Sequence, residues 1–340
     1  MTITRTPEVA IFPEIPVIDA HHHLFDRIAP GVAAHLHRQR LLIDDYAEMI
    51  GDGHNVIASV SVDARIMYRE DGPTEMRPVG ETEFVNGQAA MAASGLYGPC
   101  RIAAGIVGYA DLRLGDRIRP VLEAHIAAAP RRFRGIRQEG MWDADHSILG
   151  DLFDVCEHQY LQENFRQGFA HLAPLGLSFD AFILSPQLGD VLDLVRRFPE
   201  TNIILCHTGQ PIGIGRHAGR MQIDFPQWKK DMRDIASFPN TSVKLGGLGT
   251  YLSGSSSYRA EPPVGSAVLA AEWRPYAEAA IELFGAHRCM FESNLPTDGC
   301  GSFLEICNAY KIITAGCTHE ERLEIFAGTA RRVYRLELPQ

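Results

Sequence analysis

Several features are missing from this sequence, and their absence argues against whole classes of protein. No uncharged apolar stretch reaches the roughly 18 residues that a membrane-spanning helix needs. The first eight residues, Met1 to Glu8, show no apolar run of the kind that marks a secretory signal. The seven cysteines contain no Cys-x-x-Cys pair, so neither a disulfide framework nor a zinc knuckle is predicted. These absences predict a cytoplasmic protein with reduced thiols and no membrane partner.

Positive charge is also in short supply. The chain has 32 Lys and Arg residues against 42 Asp and Glu residues, which gives a net charge of −10, and no stretch rich in Lys or Arg occurs. A phosphate backbone would be repelled, so a nucleic-acid partner is not expected. Hydrophobic residues make up 46% of the 340 residues, which is ordinary for a globular enzyme with a large core. We predict one domain over residues 1–340, with residues 1–16 as an N-terminal extension.

Short apolar runs rich in β-branched residues alternate with segments of helical character. Strands are predicted near residues 17–21, 56–62, 102–108, 132–137, 179–184, 202–206, 241–246 and 288–292. Helices are predicted over residues 83–94, 118–128, 187–198, 226–238 and 267–284, and over 318–336 with Thr318 as N-cap and Glu321 completing a capping box. Runs such as Ile203 to Leu205 are apolar on both faces, which is typical of a parallel sheet covered by helices.

Eight such units over about 250 residues plus insertions predict an α/β fold of the (β/α)8 TIM-barrel type. The alternative is an open doubly wound sheet, which usually carries a glycine-rich phosphate loop after its first strand. Histidines follow the first strand here. Long polar segments at residues 64–80, 208–225 and 249–266 are expected to wall a pocket at the mouth of the barrel.

His21 and His23 are the most informative pair in the chain. Residues two apart on a strand point to the same face, so both imidazoles would project together at the end of the first strand. Such a pair can hold a divalent metal or a polar substrate. His22 points to the other face, and we expect it to be structural.

Other polar residues follow the later strands, at the end of the barrel where active sites lie. They are Asp63, Arg65, Arg137, Gln138, Glu139, His207, Lys244, Asn294 and Asp298. Arg137 either clamps a substrate carboxylate or forms a salt bridge to Glu139 or Asp143 at the rim. Lys244 either polarises a carbonyl or pairs with an acid inside the barrel. Arg65 and Tyr251 are further candidates for substrate binding.

Two residues that follow the last strand have open roles. Asn294 either binds an oxyanion or a substrate hydroxyl, or fixes the turn before Pro296. Asp298 either takes a proton as a general base or caps its loop.

The segment Ile18 to Phe25 resembles the His-x-His opening of the amidohydrolase superfamily, in particular the amidohydrolase-2 branch of lactonases and non-oxidative decarboxylases. Further similar motifs occur in the family's order, namely residues 133–137, 176–180, 205–211, 243–247 and 290–296. The resemblance implies a TIM barrel, and it implies a metal site that takes a histidine from strand 5 and an aspartate from strand 8.

Two departures from that pattern bear on the metal. Strand 5 contains no histidine, since His171 lies upstream of it, and Asn294 stands at the position of the strand-8 aspartate. His21, His23 and His207 remain candidate ligands for zinc or another divalent metal. We expect such a metal to be bound weakly or to be absent.

The resemblance favours a hydrolase that opens the lactone ring of a small carboxylated or polyhydroxylated compound. His207 or Asp298 would take a proton from water, while His21, His23 and Lys244 would polarise the carbonyl. One alternative is a non-oxidative decarboxylase of an aromatic or unsaturated acid, against which Asn294 counts. Another is a barrel without catalysis that binds a ligand. The expected partner is an anionic or polyhydroxylated small molecule, and formation of a homo-oligomer is left open.

Overall fold

Eight parallel strands form the centre of the computed structural model, which describes residues 7–28, 40–150 and 153–338. In chain order they are β1 (Val17–His22), β2 (Val56–Val62), β3 (Arg101–Gly108), β4 (Phe133–Glu139), β5 (Ser178–Phe182), β6 (Ile203–Leu205), β7 (Thr241–Leu245) and β8 (Cys289–Phe291). Each strand pairs in parallel with the next. Every predicted strand is present with its ends within two residues of the prediction.

The sheet curves round until the segment after β8 meets β1. The main-chain N–H of Asn294 donates to His21 over 2.9 Å, and that of His23 donates to Leu295 over 2.9 Å. A parallel bridge joins His22 to Leu295. The result is the predicted (β/α)8 barrel, and the closing bonds fall at the residues that carry the candidate chemistry.

Helices cover the outside of the barrel. They are α1 (Ile43–Met49), α2 (Val79–Ala92), α3 (Arg119–Ala128), α4 (His146–Leu149), α5 (Glu163–Phe169), α6 (Leu188–Arg197), α7 (Met221–Ala236), α8 (Ser266–Phe284), α9 (Phe303–Ile313), α10 (His319–Leu323) and α11 (Thr329–Val333). Within the described parts of the chain, no helix is both long enough and apolar enough to cross a membrane. All seven cysteines are free thiols.

Two predicted helices begin several residues earlier in the structure, and a third is interrupted. Helix α7 begins at Met221, five residues before Pro226, where the predicted helix starts. Helix α2 likewise begins at Val79, earlier than predicted. The capping box of Thr318 and Glu321 is confirmed, but a π-helical turn over Glu324–Gly328 separates α10 from α11.

Both ends of the described chain are anchored to the barrel. Residues before β1 lie against α9, where Lys311 donates to the carbonyl of Phe12 over 2.7 Å and Asn308 donates to that of Val9 over 2.9 Å. At the opposite end of the chain, Tyr334 packs into the barrel interior and its hydroxyl donates to Asp180 on β5 over 2.8 Å. The strand ends that carry the polar residues therefore rest on a filled and hydrogen-bonded base.

Candidate active site

A pocket opens at the carboxyl ends of the strands and encloses about 820 Å³ of space, including its mouth. Its polar lining consists of His23, Arg65, Arg137, Glu139, His207, Thr250, Asn294 and Thr297. Its other lining residues are Phe25, Ala64, Ile66, Met141, Phe153, Phe182, Tyr251 and Leu252. Polar residues from six of the eight strand ends thus meet in one place, as the barrel prediction requires.

Two of the three long loops that were expected to wall the pocket contribute to its lining. Residues 64–66 come from the first of them and residues 250–252 from the third. The segment 208–225 supplies none of the lining residues. Its Ile212 instead packs behind the wall against Met141 and Leu252.

The ring of His207, which follows β6, is held by the buried carboxyl of Glu292. The Nδ1 atom of His207 lies 2.7 Å from Oε1 of Glu292, and the main-chain N–H of His207 donates to the same oxygen over 3.1 Å. Since Oε1 already accepts the main-chain N–H, the ring Nδ1 is best assigned as its second donor. Nε2 then carries the free lone pair of a ring that lines the pocket.

Burial sets the protonation of this pair. Burial lowers the pKa of His207 well below its usual value, and the nearby charges of Arg137 and Lys244 lower it further. Burial raises the pKa of Glu292 to about 8. The imidazole is therefore neutral near neutral pH, which is the state that a general base needs.

Two glycines after β7 make room for the pair. A Cβ atom at Gly246 would lie 2.2 Å from Cγ of Glu292, and one at Gly247 would lie 2.2 Å from Cβ of His207. His207 itself has a φ of 57°, and Asn294 has a φ of 52°. Left-handed backbone at residues other than glycine is uncommon and is often found at functional sites.

His21 and His23 lie together on the face predicted from their spacing. Their ring centres are 4.9 Å apart, and the ring of His21 is 4.7 Å from that of His207. His23 lines the pocket, and its Nδ1 lies 3.0 Å from the carbonyl oxygen of Val62. His22 points the other way, where its Nε2 lies 2.8 Å from the hydroxyl of Ser59 and its ring stacks on Tyr46.

Both candidate arginines line the pocket, and each has a carboxylate partner. Nε of Arg137 donates to Asp63 over 2.8 Å, and a second N–H donates to the main-chain carbonyl of Asp63. Burial opposes the charge, but Asp63 and Glu139 outweigh it and raise the pKa of Arg137. Arg65 lies 3.7 Å from Glu139 and 4.7 Å from the ring centre of Tyr109. Arg137 thus forms a salt bridge, but with Asp63 and not with Glu139 or Asp143, the two partners considered from the sequence.

Lys244 lies deeper than the pocket lining. It is fully buried, and its ammonium group lies 2.6 Å from Asp180 and 3.3 Å from Nδ1 of His21. Burial opposes its charge, but Asp180 outweighs this and raises the pKa of Lys244. Of the two roles predicted for Lys244, the structure shows the pairing with an acid inside the barrel.

Asn294 reaches the pocket, whereas Asp298 lies behind it. The amide of Asn294 donates to Oδ1 of Asp298 over 2.6 Å, and the N–H of Gly249 donates to Oδ2 over 3.2 Å. Burial raises the pKa of Asp298 well above its usual value. Asp298 is not among the residues that line this pocket.

One group of residues has the composition of a metal site. One ligand atom each from His21, His207 and Glu292 lies within 4.8 Å of the others, and all three residues are buried. However, Nε2 of His21 lies 3.3 Å from a guanidinium nitrogen of Arg137, and its Nδ1 lies 3.3 Å from the ammonium group of Lys244. Both ring nitrogens of His21 thus already have a cationic neighbour at 3.3 Å, and a divalent ion bound to this ring would have to displace one of them. In this arrangement the residues do not suit a tightly bound metal.

Sequence reasoning missed most of the pocket wall. Ile66, Met141, Phe153 and Phe182 were not predicted to line the pocket, because single apolar residues in loops and strand ends read as ordinary core. Glu292 holds His207, and Asp63 holds Arg137. The Gly246-Gly247 pair was a usable sign of close packing at the end of β7.

Comparisons with known proteins agree with this fold. A model of the family described as Amidohydrolase matches residues 18–336. The uncharacterized protein y4mH of Sinorhizobium fredii is 32% identical and covers 95% of this chain and 99% of its own. An L-fucono-1,5-lactonase of Burkholderia ambifaria is 28% identical over 69% of this chain and 72% of its own. A crystal structure of a zinc-bound amidohydrolase of Burkholderia multivorans has a TM-score of 0.72 at 23% identity, covering 94% and 99% of the two chains.

The space above Gly246 yields a testable prediction. Gly246→Ala places a methyl group against Glu292 and should displace the carboxyl from His207, with a loss of about 1–3 kcal/mol in the free energy of unfolding because the site is already closely packed. Denaturant unfolding measures this loss. Gly87→Ala is the matched control, since that residue is exposed in α2 with nothing within 4 Å of the added atom. Equal stability of the two variants would contradict the packing assigned to Gly246.

Proposed function

The chain belongs to the amidohydrolase family, and on that premise we propose that it hydrolyses the ring ester of a small lactone. The observation that carries the proposal is the His207–Glu292 pair, in which Glu292 engages Nδ1 of a histidine that lines the pocket and leaves Nε2 for water. A neutral histidine oriented by a buried carboxyl is the usual arrangement for removing a proton from water. The likeness to two L-fucono-1,5-lactonases, at 28% and 27% identity, supports ester hydrolysis as the chemistry.

The proposed reaction begins with water between His207 and the lactone carbonyl. Nε2 of His207 takes a proton as the water oxygen bonds to the carbonyl carbon, and the carbonyl oxygen becomes an oxyanion. The intermediate then collapses by breaking the ring C–O bond, and the leaving alkoxide recovers the proton from His207. The product is an open-chain hydroxy acid, and no other reactant is consumed.

Arg137 is the group proposed to stabilise the oxyanion. Three of its five N–H groups point to Asp63 and His21, which leaves two for a ligand in the pocket. Its guanidinium is pre-oriented by Asp63, so it needs no rearrangement during the reaction. Asn294 can donate its second amide hydrogen from the opposite strand end, with Asp298 holding it in place.

In this proposal Lys244 and Asp298 do not take the catalytic roles considered for them from the sequence. The ammonium group of Lys244 pairs with Asp180 below the pocket, so we assign it to support of His21 and not to contact with the carbonyl. Asp298 is assigned to holding Asn294, because its carboxyl accepts a hydrogen bond from that amide and does not line the pocket. His207 is then the general base of the two candidates.

His207→Ala should lower kcat for lactone hydrolysis by about 10²- to 10⁴-fold, which is the usual contribution of a general base. The measurement is ring opening followed by acid release in a pH-indicator assay, with the blank rate subtracted. His171→Ala is the control, since that histidine pairs with Asp116 at the surface outside the pocket. Undiminished turnover by a correctly folded His207→Ala protein would rule out this role.

The proposal also predicts that turnover does not depend on zinc. Arg137 and Lys244 flank His21, so chelator-washed protein should contain far less than one zinc per chain and should keep its activity. Elemental analysis and the lactone assay on the same samples test this. Stoichiometric zinc, with activity that rises and falls with its occupancy, would show that the metal is part of the site.

A further inference from the structure

The wall of the pocket is mainly apolar, with apolar or aromatic residues from five of the eight strand ends. The apolar and aromatic members come from the segments after β1, β2, β4 and β7 and from the end of β5, and they are Phe25, Ile66, Met141, Phe153, Phe182, Tyr251 and Leu252. Phe153 and Phe182 meet edge to face with ring centres 6.5 Å apart. The ring of Phe182 also packs edge to face against His207, at 5.0 Å. An aromatic surface therefore extends from the mouth down to the proposed base.

The polar groups of the pocket gather at its floor and are largely bonded to one another. The Nδ1 atoms of His23 and His207 are engaged by Val62 and Glu292. Among the described residues, the lining also includes three with hydroxyl groups, namely Thr250, Tyr251 and Thr297. A sugar lactone carries hydroxyls on successive ring carbons. Each hydroxyl that loses its hydrogen bonds to water and gains none from the protein weakens binding. The floor can bind one ester group, but the wall does not match a polyhydroxylated ring.

The charges of the floor are also balanced. Arg137 lies 2.8 Å from Asp63, and Arg65 lies 3.7 Å from Glu139, so each cation on the lining has its own carboxylate. Deeper in the barrel, Lys244 is paired in the same way with Asp180. A substrate carboxylate would have to compete with these internal anions. The balance disfavours the anionic substrate expected from the sequence.

On the premise that the proposed lactonase function is correct, we propose that the substrate is an uncharged lactone attached or fused to an aromatic ring. Its ester group would lie at the floor between His207 and Arg137, and its ring would lie against Phe153 and Phe182. This class differs from L-fucono-1,5-lactone, the hydroxylated lactone in the names of the two lactonase relatives. The proposal rests on the apolar and aromatic wall of this chain's pocket.

Three six-membered lactones separate the classes. They are 3,4-dihydrocoumarin, which is uncharged and benzo-fused, L-fucono-1,5-lactone, which is hydroxylated, and 2-pyrone-4,6-dicarboxylate, which is dianionic. The wild-type protein should hydrolyse dihydrocoumarin with a kcat/KM at least about 100-fold above the other two, on the scale by which an apolar pocket discriminates. A higher kcat/KM for the sugar lactone or the dicarboxylate would overturn this inference and leave the lactonase function standing.

A binding measurement tests the ligand class separately from the lactonase function. His207→Ala should bind coumarin, an uncharged benzo-fused lactone, at least about 10-fold more tightly than L-fucono-1,5-lactone, as measured by titration calorimetry. If the wild-type protein hydrolyses none of the three lactones but this binding preference holds, the proposed function fails and the ligand class survives. Tighter binding of the sugar lactone overturns the ligand class, whatever the turnover.

Variants of the wall test the residues that carry the inference. Phe153→Asn should lower kcat/KM for dihydrocoumarin by roughly 10- to 100-fold, whereas Phe153→Leu should keep most of it. Phe153 is half-buried, so both proteins are expected to fold, and their thermal unfolding midpoints check this. Leu96→Asn is the control, because that side chain is 87% exposed and lies before β3, at the opposite end of the barrel. Equal losses in Phe153→Asn and Leu96→Asn would contradict a role for the wall.

Discussion

The hydrogen bond between the buried carboxyl of Glu292 and the ring of His207 is the interaction on which the rest of the site depends. Glu292 lies at the end of β8 and reaches His207 through Oε1 at 2.7 Å and His21 through Oε2 at 3.0 Å. One residue therefore holds the ring of His207 by a hydrogen bond and lies against the ring of His21, which comes from a different strand. Its neighbours accommodate it, since Gly246 leaves space at Cγ and burial raises its pKa to about 8.

The position of Glu292 is set in turn by the way the barrel closes. Asp19 on β1 is fully buried and accepts hydrogen bonds from the main-chain N–H and the hydroxyl of Ser293 and from Tyr46. These bonds join β1 to the segment that carries Glu292 and Asn294. Burial raises the pKa of Asp19 to about 6, although the hydrogen bonds act in the opposite direction. Barrel closure and site geometry thus share the same few contacts.

The sequence predicted the barrel well because its strands are buried on both faces and its polar residues follow them. Each strand end lies within two residues of its prediction, and the alternation in residues 21–23 gave the correct faces for the three histidines. The partners of Arg137 and Lys244 could not be predicted. Asp63 and Asp180 lie 74 and 64 residues away from them along the chain, and their proximity depends on strand positions round the barrel. The apolar wall was missed for a related reason, because a loop phenylalanine such as Phe153 has no sequence feature that separates pocket from core.

The central claim is that His207 is a neutral base with Nδ1 bound to Glu292 and Nε2 free. Nitrogen-15 NMR of the histidine rings tests it most directly, with the resonances of His207 assigned by their loss in His207→Ala. At neutral pH the account predicts a proton on Nδ1 and an unprotonated Nε2. A proton on Nε2 with Nδ1 bare, or an imidazolium protonated on both nitrogens, would contradict it.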